Sequence, residues 1–72
     1  MTFAERLESL RTNQHLSKQE LSTKLGIARM SYFRYEKGER FPTYEILLQL
    51  ADYFDVSIDY LVCRTDNPAI NR

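Results

Sequence analysis

Helix-capping signals constrain this chain more firmly than any other feature of its sequence. Thr2 with Glu5, and Ser17 with Glu20, have the hydroxyl-x-x-carboxylate spacing in which two side chains satisfy each other's backbone amides at a helix start. Thr43 and Ser57 are further hydroxyl caps, each standing just before an apolar stripe. Starts this close together leave no room for a long helix. The stripes that follow recur at helical intervals: Phe3, Leu7 and Leu10; Leu21 and Leu25; Ile46, Leu47, Leu50, Ala51 and Phe54; Ile58 and Leu61. Asn13 and Gln14 are stop residues for the first, and Gly26 can end the second through a left-handed cap. Pro42 lies inside neither neighbouring helix. The spacing predicts helices over about 3–13, 18–25, 29–36, 44–54 and 58–62, an all-α domain over 1–63, and a flexible tail over 64–72 that has no periodicity.

A chain of 72 residues has room for one domain and needs nearly all its apolar side chains for a single core. Cys63 is the only cysteine, so no internal disulfide or thiolate cluster forms, and a reducing, cytoplasmic setting is expected. No leader-like start and no run near the roughly 18 apolar residues of a membrane span is present, so no membrane association is expected.

The formal net charge is zero, which argues mildly against a polyanionic partner, but the charges are segregated. Residues 18–40 carry six positives against three negatives, while Glu45, Asp52, Asp55, Asp59 and Asp66 make the C-terminal part acidic. A local basic field steers a polyanion even when the total vanishes.

The basic segment holds the third helix. Tyr32 and Tyr35, three apart, point inward with Ile27, leaving Arg29, Met30, Phe33, Arg34 and Lys37 on the remaining surface. Met30 and Phe33 either widen the buried stripe or stand exposed among cations. In the second case they suit thymine methyl groups, with arginine beside them for guanine edges or phosphates. Periodicity leaves both readings open.

The stretches "LSKQELSTKLGI", "YEKGERFPTYEILLQLADYFDVS" and "SIDYL", with "RLESLR" before them, resemble the helix-turn-helix domain of phage repressors and Cro proteins, the Cro/CI or Xre-type family, over residues 6–61. The resemblance implies a compact five-helix, lambda-repressor-like DNA-binding domain whose third helix enters the major groove of duplex DNA. It places Arg29, Met30 and Phe33 at base-facing positions. Ser17, Lys18, Gln19, Ala28, Arg34, Lys37 and Arg40 fall where phosphate contacts are common. Arg11 and Glu36 fall where the family forms a partly buried ion pair, and Val56, Ile58, Tyr60, Leu61, Val62 and Cys63 where it forms a dimer contact. The implied function is that of a transcriptional regulator, a repressor acting as a homodimer on a pseudo-palindromic operator, with half-sites about 34 Å apart.

Three departures stand out. Many relatives carry glutamine where this chain has Lys18, and a lysine keeps the phosphate contact but not the amide's paired geometry. Ala28 replaces the hydroxyl cap of the third helix, at a typical cost of about 1 kcal/mol. Phe33 replaces a small or polar residue, so no relative's target sequence transfers.

Other chemistry is poorly supported. His15 is a lone loop histidine, and Asp52, Asp55 and Asp59 lack calcium-loop spacing, so no metal or other cofactor is expected. No nucleophile has a base partner, so no enzyme activity is expected. The rival reading is a protein-interaction module of the same fold, of antitoxin or antirepressor-binding type, whose Met30 and Phe33 dock on a protein antagonist or toxin.

Overall fold

The computed structural model describes residues 1–69. Five helices follow in order: α1 (Phe3–Asn13), α2 (Lys18–Leu25), α3 (Arg29–Lys37), α4 (Tyr44–Phe54) and α5 (Ile58–Leu61). Both capping boxes form. Thr2 and Ser17 accept from the Glu5 and Glu20 amides at 3.2 and 3.0 Å, and the two carboxylates accept from the Thr2 and Ser17 amides at 2.9 and 3.0 Å. Thr43 and Ser57 each cap their helix through the hydroxyl alone.

Two ends differ from the spans read in the sequence. Helix α3 continues through Lys37 because Gly38 adopts the left-handed conformation (φ 76°) and its amide closes on Arg34 and Tyr35 carbonyls. Helix α5 stops at Leu61, since Val62 leaves helical geometry and Cys63 turns left-handed (φ 67°). Asp55 caps α4 in the same left-handed way (φ 55°), its amide bonded to Ala51 and Asp52 carbonyls.

The core lies where the five helices converge, and Leu7, Leu21, Tyr32, Leu50 and Leu61 are fully enclosed in it. Helix α3 packs against both α1 and α2, while α4 packs on α5 and α1 also touches α5. The Phe3 ring meets Phe41 at 4.9 Å, which ties the start of α1 to the loop after α3.

Residues 64–69 form no helix, yet they lie against the domain. The Ser57 amide donates to the Pro68 carbonyl at 3.0 Å, the Arg64 amide donates to Asp59 at 2.8 Å, and Asp66 accepts from Arg6 at 3.2 Å. The rest of the tail, residues 70–72, lies outside the described residues. Among the described residues, no helix is long and apolar enough to cross a membrane, and no three acidic, histidine or cysteine side chains converge on a common point.

Candidate nucleic-acid interface

The two sides of α3 have opposite fates. Tyr32, Tyr35 and Glu36 are buried, as is Ile27 in the turn before them, whereas Arg29, Met30, Arg34 and Lys37 are exposed. Met30 retains 61% of its surface, too much for a side chain that merely completes the core. Phe33 is intermediate: it is half-buried and packs against the core, so it is not the freely displayed ring that a pure base contact would need. Its position explains the split, since a nine-residue helix lying against two neighbours has a broad buried stripe.

An ionic network fixes the height and direction of α3. Arg11 donates to Glu36 through Nε at 2.7 Å and Nη2 at 3.2 Å, a two-pronged contact from α1 to α3. Its Nη1 donates to the Leu16 carbonyl at 2.7 Å, which brings in the turn before α2. The Tyr32 hydroxyl donates, from one helical turn away, to Glu36 Oε2, the oxygen that Arg11 Nε also reaches, while Nη2 reaches Oε1. Hydrogen bonding to Glu36 raises the Arg11 pKa above its ordinary value, and burial together with the adjacent carboxylate pushes the Tyr32 phenol up. Both groups therefore hold their usual protonation states across the physiological range.

Along the surface, Lys18 begins α2 and Arg29 begins α3, with Arg34 and Lys37 following on α3. Ser17 is exposed with its hydroxyl engaged in the α2 cap, and Gln19 is exposed beside it. The cap also holds the Glu20 carboxyl below its usual range. Arg40 is exposed in the α3–α4 loop, next to Phe41, which is buttressed by Phe3. Tyr44, the first residue of α4, is also exposed.

Ala28 precedes α3 with no side-chain cap, at φ −57° and ψ 131°, and is exposed. A hydroxyl fits that extended geometry. Ala28→Ser is expected to stabilise the domain by about 1 kcal/mol, or about 4–8 °C in melting temperature, measured by thermal denaturation.

The expected dimer surface needs correction at two places. Val56 and Leu61 are buried in this chain's own core, Val56 in the turn between α4 and α5, and Leu61 because a four-residue helix must bury its apolar side to be held at all. Ile58, Tyr60, Val62 and Cys63 are partly exposed. Tyr60 is also covered on one face by Arg6, whose guanidinium lies 3.8 Å from the ring centre. Arg6 stands three residues after Phe3 on the inward face of α1. It is buried, and its Nε has no hydrogen-bond partner among the described residues.

A compact all-α domain whose second and third helices are joined by a three-residue turn, the third outward and cationic, defines the helix-turn-helix class. The chain belongs to that family in its Cro/CI form, with the helix-turn-helix profile matching residues 7–61. It is similar to the uncharacterized HTH-type transcriptional regulator YqaE of Bacillus subtilis (38% identical over 68 residues, 94% of this chain and 59% of that one). It is also similar to the CTXphi transcriptional repressor RstR of Vibrio cholerae, at 38% over 64 residues, covering 89% of this chain and 57% of that one. The chain thus spans less than two thirds of the length of these curated relatives. Its fold matches the solution structure of the SOS-response transcriptional repressor LexA from Eubacterium rectale, with a TM-score of 0.79 and 25% identity over 83% of this chain and 64% of that one. This is the helix-turn-helix fold that those regulators share.

Proposed function

We propose that this chain is a sequence-specific, double-stranded DNA-binding repressor that lays α3 in the major groove and acts as a homodimer on a pseudo-palindromic operator. The observation that carries the reading is the two-sided α3. Its tyrosines and Glu36 are locked inward, and Arg29, Met30, Arg34 and Lys37 stand outward from a rigid base. Arg29 and Met30, with the uncovered part of Phe33, face base edges. Ser17, Lys18, Gln19, the Ala28 backbone, Arg34, Lys37 and Arg40 follow the phosphates, which set register without reading sequence. Partly exposed Ile58, Val62 and Cys63 supply the dimer contact. The repressor RstR among the relatives supports the direction of regulation.

Because the net charge is zero, binding by a single domain is weak at physiological salt and pairing of two domains matters. The test is selection of bound duplexes from a random pool, read by sequencing, followed by a salt series on the enriched sequence. The expected result is a pseudo-palindrome. Arg34→Ala should weaken binding on all sequences alike and flatten the slope of log affinity against log salt by about 0.9 per bound subunit. No enrichment would overturn the reading and turn attention to a protein partner for Met30.

A further inference from the structure

We propose that Phe33 is a positioning residue that holds Lys18 and Arg29 as a pair, coupling phosphate anchoring to base reading. The proposal rests on the DNA-binding reading above and adds a residue role to it. Lys18 Nζ lies 5.3 Å from the centre of the Phe33 ring, and Arg29 Cζ lies 5.3 Å from the same point. Both are within the range at which a ring quadrupole attracts a cation. One cation is the first residue of α2 and the other the first residue of α3, so one ring gathers a charge from each helix of the motif.

The ring is well placed for this because its other contacts are with the core. A half-buried phenylalanine packed on neighbouring apolar groups is held in place, while free lysine and arginine side chains are not. Seating both cations on a fixed surface removes part of the ordering that DNA would otherwise impose on binding. The two positive charges repel each other, and a phosphate arriving beside them relieves that repulsion. Lys18 stands where many relatives carry glutamine, and the Phe33 ring links it to α3.

The experiment uses the 72-residue chain and the duplex it enriches from a random pool. Affinity and salt slope are measured for the parent, Lys18→Met, Phe33→Leu, the double variant and Phe33→Tyr, each checked for folding by thermal melting. Phe33→Leu keeps an apolar plug but removes the π face, and should weaken operator binding by about 5- to 30-fold, from two contacts of ordinary cation–π size. It should also flatten the salt slope by about 0.9 per subunit, as Lys18→Met does. Lys18→Met should cost about two- to fivefold less in the Phe33→Leu background than in the parent, and Phe33→Tyr should match the parent.

Additive effects in the double variant overturn the proposal. So does a Phe33→Leu variant whose salt slope is unchanged, because the ring then does nothing to seat Lys18 on a phosphate. A parent chain that enriches no duplex overturns the DNA-binding reading, and this proposal with it. Proton NMR of the free protein supplies a readout independent of DNA and of any loss of stability. The Lys18 ε-methylene protons should be shifted upfield by the ring in the parent and not in Phe33→Leu, and unshifted protons in the parent overturn the proposal.

Discussion

Arg11→Ala should be the most damaging single change away from the apolar core, lowering stability by about 3–5 kcal/mol. The Glu36 side chain is 1% exposed and that of Arg11 11%, so the carboxylate relies on its protein partners for solvation. Removing the guanidinium takes away both donors to Glu36 and leaves the Tyr32 hydroxyl as its remaining side-chain donor. It also takes the third prong from the Leu16 carbonyl. At about 4–8 °C per kcal/mol for a domain this size, the melting temperature should fall by roughly 12–40 °C. Arg11→Lys should fall between, since an ammonium keeps the charge but not the planar fork. The contrast with Glu36→Gln is informative. The amide keeps the shape and still accepts from Tyr32, and Arg11, less deeply enclosed than Glu36, can turn toward water, so a smaller loss is expected. Calorimetry of the three variants measures these differences. Equal melting temperatures for Arg11→Ala and the parent would mean that the network is wet and contributes little.

Much of this fold is written at short range. Thr2–Glu5, Ser17–Glu20 and Gly26 act over three or four residues, so their geometry follows from local sequence whatever the rest of the chain does. The inward tyrosines of α3 were legible for the same reason. Where the sequence misled, the decisive contact was distant or the element too short. The resemblance placed Val56 and Leu61 at a dimer contact, although in this chain both complete the core. Asp55 is a helix cap only because the chain must turn there, since aspartate tolerates the left-handed region without requiring it. Arg6 and Asp66 meet across sixty positions, which no local pattern records. Phe33 is the instructive case. Periodicity offered core or display, and the ring takes part in both, buried at one side and gathering cations at the other.

Arg29→Ala should have the largest effect on DNA recognition, a loss of about 1–3 kcal/mol per half-site, or roughly 5- to 150-fold, confined to the preferred sequence. The argument is geometric. Arg29 is the first residue of α3, exposed, on the helix that Arg11 and Glu36 hold rigidly, and its guanidinium is steadied beside Phe33. A rigid support matters because a fork of donors reads a guanine edge only when both prongs arrive together. The expected signature is therefore selective: affinity for the enriched duplex falls, affinity for scrambled duplex changes little, and repeat selection with the variant loses preference at one base pair in each half-site. Arg34→Ala and Lys37→Ala should behave in the opposite manner, weakening every duplex in parallel, because a phosphate is the same at every step. Competition titrations of the three variants against matched and scrambled duplexes separate the two classes. A parallel loss for Arg29→Ala would place it among the backbone contacts and leave Met30 and the uncovered part of Phe33 as the side chains that read sequence.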